Sequence, residues 1–243
     1  MKHALTILAL CSLLGSAVLS RGTAQAQAGQ GHGSPQERLN SAADAILRLK
    51  SAQFTIAREG APAFIDEKAG VTFTAAQCSY AAPDRVSCNI KISSKSGTIL
   101  QITRVWVPEG TFQTNPLTRQ FGKAPADTSF NFPLLFARTG IPATLRTSVQ
   151  TPHVVGAETI RGKSTVHLKG EVRGNKLSPL IGGGSTINAE LTYPVDLWME
   201  EQSANPVRIH VTEPAGNGWL IELIAVNEPV EIPTPKISEP PKP

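Results

Sequence analysis

Hydrophobic and polar residues alternate along two stretches of the chain, residues 71–113 and 154–226, and between them the alternation breaks. A period of two predicts strands, because successive side chains of an extended chain point to opposite faces. The first half predicts strands over residues 52–58, 71–77, 85–93, 98–107 and 110–113, with turns at Ser94-Lys95-Ser96-Gly97 and Pro108-Glu109-Gly110. The second half predicts strands over 157–160, 164–172, 187–191, 195–200, 207–213 and 219–226. Its turns fall at Arg161-Gly162-Lys163 and Gly216-Asn217-Gly218. Such close spacing suits an antiparallel meander rather than strands joined by helical crossovers. In the second half Val166, Leu168, Val195, Leu197, Met199, Val207, Ile209, Val211, Trp219, Ile221 and Leu223 share one face. Lys169, Asp196, Glu200, Arg208, His210 and Glu222 share the other, and Trp198 falls among them. One side of the sheet is therefore covered and the other wet.

Three segments carry helical signals. Ser34-Pro35-Gln36-Glu37 offers an N-cap, a proline for the first helical position and the glutamate of a capping box. Leu39, Ala43, Ile46 and Leu47 follow at helical spacing to about residue 50, giving an apolar face that needs a surface to cover. Residues 130–149, between the strand-rich halves, are strongly apolar. Asn131 and Pro133 start a helix over 132–138, Gly140 stops it, and Pro142 starts another over 142–148. Phe132, Leu134, Leu135, Phe136, Ile141, Leu145 and Val149 run nearly all round these helices, so the helices are buried or cover something apolar. Residues 177–181 fit one more short helix, and 115–129 read as an irregular connection. The expected architecture is α+β: a curved antiparallel sheet with helices over one face.

The ends divide the chain further. Residues 1–26 have a secretion-signal pattern: Lys2 and His3, an apolar run over 4–19, then Ala24-Gln25-Ala26 as a cleavage site, with Ala26-Gln27-Ala28 as a second. The run is short for a membrane span, which needs about 20 residues. Residues 27–33 read as a flexible segment, 34–229 as one domain and 230–243 as a Pro-rich, unpacked, disordered tail. Cutting after Ala26 removes Lys2 and Arg21 and no acid, taking the net charge from +4 to +2. That balance, with no basic run, is too weak to imply a nucleic-acid partner, and none is expected. Export leaves Cys78 and Cys88 as an even pair in an oxidising compartment, and the turn Ala82-Pro83-Asp84-Arg85 between them brings them across a hairpin as a disulfide. Strict alternation opposes this, since Cys88 shares parity with Val86, Ile90 and Ile92 while Cys78 lies opposite in parity to Phe73 and Ala75. A bulge or a turn must absorb the mismatch.

A succession of motifs now resembles a known family. Pro83-Asp84-Arg85-Val86 leads into strands, Asn115-Pro116-Leu117-Thr118 sits in the connection, and residues 130–135 open the helices. Val155-Gly156-Ala157-Glu158-Thr159-Ile160-Arg161-Gly162 leads to Val166-His167-Leu168-Lys169-Gly170. Val195-Asp196-Leu197-Trp198-Met199-Glu200 leads to Pro206-Val207-Arg208. In order and spacing, over roughly residues 34–226, this resembles the mycobacterial LppX/LprAFG lipoprotein family. The resemblance implies a half-barrel of antiparallel strands with helices on its concave face and a large apolar cavity between them. That cavity would hold lipids for transport across the cell envelope. It also implies transient contact with a membrane surface and an envelope transporter as a partner. Family members are usually anchored through a cysteine after the signal. Cys11 suits this poorly, because Leu10 stands where a small residue is expected and the apolar run continues past it.

No pattern for chemistry competes. Gly162-Lys163-Ser164 resembles the end of a phosphate loop, but Gly156 is one residue too far upstream and a strand follows where a helix is needed. Gly182-Gly183-Gly184 lacks the rest of a dinucleotide motif, and no Gly-x-Ser-x-Gly elbow occurs. His32, His153, His167 and His210 are dispersed, so no metal site is expected and the histidines are read as surface residues. Asp196, Glu200 and Glu201 fit a solvated strand face and its turn rather than a glycosidase pair. The expectation is a non-enzyme without cofactor that binds and carries a lipid or other acyl-chain ligand. The alternative is a ligand-free envelope scaffold or partner-binding module. Candidate lipid contacts are Leu134, Leu135, Phe136, Ile141, Leu145, Val166, Leu168, Val195, Leu197 and Ile209, all of which ordinary core packing would also explain.

Overall fold

The computed structural model describes residues 33–66, 69–125, 130–181 and 187–237. The expected signal and most of the flexible segment after it lie outside the described residues. Helix α1 spans Pro35–Leu47. Its capping box forms as read: Ser34 Oγ accepts from the Glu37 N–H, and Glu37 Oε2 accepts from the Ser34 N–H at 2.6 Å. The bonds from the Ser34 backbone and hydroxyl hold the Glu37 carboxyl below its ordinary value. The face of α1 carrying Leu39, Ala42, Ala43 and Ile46 is buried.

Strands β1 (Ser51–Glu59), β2 (Ala63–Asp66), β3 (Val71–Ala81), β4 (Arg85–Ser93), β5 (Ile99–Val107), β6 (Gly110–Thr114) and β7 (Phe121–Lys123) form the first half. Strands β8 (Gln150–Ile160), β9 (Lys163–Arg173), β10 (Thr192–Glu200), β11 (Pro206–Thr212) and β12 (Gly218–Val226) form the second. Among the described residues these twelve make one open sheet of order β7-β6-β5-β4-β3-β1-β12-β11-β10-β9-β8, with β2 paired to β3. All pairings are antiparallel. The helices lie over one face, and the fold is the α+β arrangement expected.

Of the two devices that could absorb the parity mismatch, the structure uses a bulge, between Phe73 and Ala75 on β3. Thr74 is the extra residue, so parity inverts there and Ala76, Cys78 and Tyr80 join Phe73 on the covered face. Cys78 then sits directly opposite Cys88 on β4, and the two form a disulfide.

Several elements differ from the sequence reading. Residues 187–191 are not a strand. The Asn188 carboxamide accepts the Glu190 N–H and its carbonyl accepts the Leu191 N–H, which bends the chain into a turn before β10. Residues 115–129 contain the short strand β7, and β2 precedes the hairpin. The strand expected over 157–160 extends back to Gln150, its alternation hidden by two irregularities in the pairing with β9. Residues 132–136 tighten into a 3₁₀ turn, followed by α2 (Ile141–Thr147). Gly140 joins them at close quarters: a Cβ there would lie 1.7 Å from the Leu134 carbonyl oxygen. A short helix α3 spans Ser178–Ile181.

The C-terminal segment is also packed as far as it is described. Val105, Val107 and Phe112 point from β5 and β6 to the outer face, and Ile232 is buried against them with Val230 beside it. Arg85 Nη1 donates to the Ile232 carbonyl at 3.0 Å, and Thr234 donates to Glu109. The tail read as unpacked is thus a strap, because apolar residues of β5 and β6 on the outer parity need cover and Val230 and Ile232 supply it.

Replacing Cys78 and Cys88 by serine together should lower unfolding free energy by about 2–3 kcal/mol through the lost ring closure, as read by urea denaturation. Ile232→Ala should cost about 2 kcal/mol in the same assay, whereas an unpacked tail would leave the midpoint unmoved.

Candidate functional site

The covered face has two chemically distinct halves. Around β1, β3, β5 and β12 it is aromatic. The 3₁₀ turn drives Phe132 and Phe136 into the sheet. Phe136 stacks on Tyr80 at 4.1 Å and meets Phe54 edge-on at 5.1 Å, while Phe132 packs on Trp106 at 5.6 Å. Phe73, Phe130 and Trp219 complete the group. Burial raises the Tyr80 phenol above its ordinary value, helped by the charge of Asp84. Trp106, whose parity the sequence leaves open, belongs to this inner layer.

Around β9, β10 and β11 the covered face is mainly aliphatic, with Tyr193 buried at the start of β10. Leu197 on β10 faces Leu168 on β9 and Ile209 on β11, and Met199 faces Val166. Helices α1 and α2 lie across these strands. They hold each other through Arg146, which is ion-paired to Asp44 and whose carbonyl accepts from Gln36 at 3.3 Å. Their contact with the strands is apolar. A residual gap of about 10 Å³ remains, lined by Leu39, Leu145, Val149, Leu168, Lys169, Gly170, Val195 and Leu197. That is about the room one water needs, far below the several hundred Å³ of an ordinary ligand pocket.

Of the ten candidate contacts, Leu145, Leu168, Val195 and Leu197 line this gap. Ile141, Val166 and Ile209 are buried in the same core. Leu135 and Phe136 are buried with the aromatic half, and Leu134 is only half-buried. Leu39, Val149, Lys169 and Gly170 also line the gap and were not among the candidates. Gly170 did carry a signal: a glycine inside a strand, on the inward parity between Leu168 and Val172, marks close approach of another backbone. A Cβ there would lie 2.5 Å from Val149 Cγ1.

The outer face of this half is a network of charge. Asp196 and His167, read as exposed, are nearly covered: His167 Nε2 lies 2.7 Å from Asp196 Oδ1 and Nδ1 lies 3.0 Å from Glu158 Oε1. Trp198 is the cause. Its ring stacks on His167 at 4.2 Å, the Arg208 guanidinium lies 5.5 Å from the centroid of the same ring, and its N–H donates to Glu158. Among the described residues no group of three or more His, Cys, Asp or Glu is placed to hold a metal ion. None of the described helices is long and apolar enough to cross a membrane.

Residues 34–232 match the model of the LppX_LprAFG lipoprotein family. The chain belongs to that family. The fold is similar to the crystal structure of LprF from Mycobacterium bovis, with 18% identity, 83% of this chain and 96% of that one covered, and a TM-score of 0.63. It is similar also to Mycobacterium tuberculosis lipoprotein LppX, with 17% identity, 82% and 98% covered, and a TM-score of 0.59. No curated protein matches the chain. The LppX_LprAFG match spans both halves of the sheet and the helices, so the aliphatic layer lies inside the family's domain.

Burial works against the charge of Glu200, but hydrogen bonds from Lys163 and Ser203 and the Lys163 charge outweigh it, holding the carboxyl below the ordinary 4.5. A depressed carboxylate stabilises the fold above its unfolded value and loses that contribution as pH falls through the folded one. Stability measured by urea midpoint should therefore fall as pH drops below about 4.5, and Glu200→Gln should flatten that limb.

Proposed function

We propose that this LppX_LprAFG protein binds acyl-chain lipids between α1–α2 and the inner face of β9–β11, and carries them in the cell envelope. The observation that carries this reading is the chemistry of that contact: two helices tied to each other by Arg146 meet the sheet at a gap whose lining side chains are aliphatic apart from Lys169. Leu39, Leu145, Leu168, Val195 and Leu197 already line a gap there, and the same surface can face a lipid tail as readily as it faces itself. The gap is closed to about one water's volume, so loading requires the pair α1–α2 to move off the strands as a unit.

A carrier of this kind needs no catalytic group. Each methylene that leaves water gains about 0.8 kcal/mol. A bilayer offers a tail nearly the same gain, so exchange with a membrane is near balance while escape to water is blocked. Transient contact with a membrane surface and delivery to an envelope transporter are part of this reading.

Native mass spectrometry and solvent extraction of the purified protein should find acyl lipid, either co-purified or taken up from detergent-dispersed lipid. Val195→Phe, which adds bulk to the layer the tail would occupy, should lower loading by at least about tenfold, with far-ultraviolet circular dichroism confirming that the variant is folded. Repeated absence of lipid from the wild type in both preparations would overturn the reading.

A further inference from the structure

The inner face of the sheet carries buried arginines as well as apolar side chains: Arg58 on β1, at the parity of Phe54 and Ile56, and Arg104 on β5. Arg104 shares the inward parity of Ile102 and Trp106, faces Cys88 on β4 and Gln113 on β6, and is 5% exposed. Its Nε and Nη2 both donate to Gln113 Oε1, the former at 2.9 Å. Its guanidinium lies 5.8 Å from the Trp106 ring. Both of these neighbours are neutral. The contrast with Arg58 is direct: that side chain is equally buried, and it is forked onto Glu213 with both bonds at 2.7 Å. On the outer face Arg208 and Lys163 likewise have Glu222 and Glu200. Arg104 takes part in none of the ion pairs among the described residues.

A buried cation held only by an amide oxygen is expensive, because desolvation is not repaid by an opposite charge. Burial accordingly pulls the Arg104 guanidinium below the ordinary arginine value. Gln113 occupies the Nε and Nη2 side of the fork, which leaves Nη1 for a further acceptor among these groups. Arginine's planar donors match phosphate and carboxylate oxygens.

We propose that Arg104, oriented by Gln113, binds the anionic group, phosphate or carboxylate, of an amphiphilic ligand whose acyl chains lie on the inner face of the sheet. The inference rests on the lipid-binding reading above and assigns its ligand class: an anionic lipid rather than a neutral one. Gln113 acts as a positioning residue, fixing the plane of the guanidinium.

The test offers the purified protein equimolar phosphatidylglycerol and diacylglycerol with the same palmitoyl chains in neutral detergent, and counts bound lipid by native mass spectrometry. The wild type should load the anionic lipid over the neutral one by about tenfold or more. Arg104→Gln should load both equally, and Arg104→Lys should retain a preference. Equal loading by the wild type, a comparison that needs no variant, would overturn the assignment while leaving lipid binding intact. So would an Arg104→Gln protein with native circular dichroism and an undiminished preference. Loading of neither lipid would remove the lipid reading itself. Inorganic phosphate bound by the wild type in calorimetry, with no lipid loaded, would make Arg104 a free-anion site and overturn the headgroup assignment.

Discussion

The pairing of β1 with β12 is the constraint on which the rest of this fold depends. Within each half of the sheet the pairings from β3 to β7 and from β8 to β12 join strands adjacent in sequence. Only β1, lying between β3 and β12, joins the halves into one surface, and its register sets Ala52 opposite Val226. Closing so long a segment carries a large entropy cost that local hairpins do not. The seam is reinforced accordingly. Arg58 on β1 reaches the buried Glu213, which also accepts the Trp219 N–H at 2.7 Å, and Arg58 lies 5.0 Å from that indole ring. At the other end Asn227 accepts the Lys50 N–H at 2.8 Å. Because α1 leads directly into β1, this seam also fixes where the helical cover sits.

The sequence showed those elements whose signal is local. The capping box at Ser34 and Glu37, the hairpin turn at Arg161 and Gly162, and the alternation of β4, β9, β11 and β12 are each decided by a few neighbouring residues. The disulfide was legible only with its bulge, since Thr74 shifts the parity of everything after it on β3. Elements hidden from the sequence are those decided by distant partners. Strand β7 exists because β6 offers an edge, β8 is irregular because it follows β9 through two bulges, and residues 187–191 turn because Asn188 caps its own chain. The C-terminal strap could not be read from its prolines. Its packing depends on Val105, Val107 and Phe112 facing outward, which in turn depends on the register of β5 and β6. At the site, aliphatic residues announced an inner face, but their division from the aromatic half depended on where the 3₁₀ turn inserts Phe132 and Phe136.

That division has a physical consequence. Aromatic side chains bury large areas and interlock at fixed angles, so the Phe73, Phe130, Phe132 and Trp219 group is costly to separate. The aliphatic layer under α1 and α2 has no such interlock. Its helices are joined to each other by Arg146, Asp44 and Gln36, so they are suited to move together.

The energies of such a movement are comparable in size. Lifting α1 and α2 exposes Leu39, Ile46, Ile141 and Leu145, each worth about 1.5–3 kcal/mol when buried, or about 6–12 kcal/mol together. A tail of about fifteen methylenes gains about 12 kcal/mol on leaving water. On the proposed reading, a lipid tail would replace the helices' own contacts with little net change in free energy. Exchange of one apolar partner for another of nearly equal worth is the condition under which a carrier can both take up a lipid and release it.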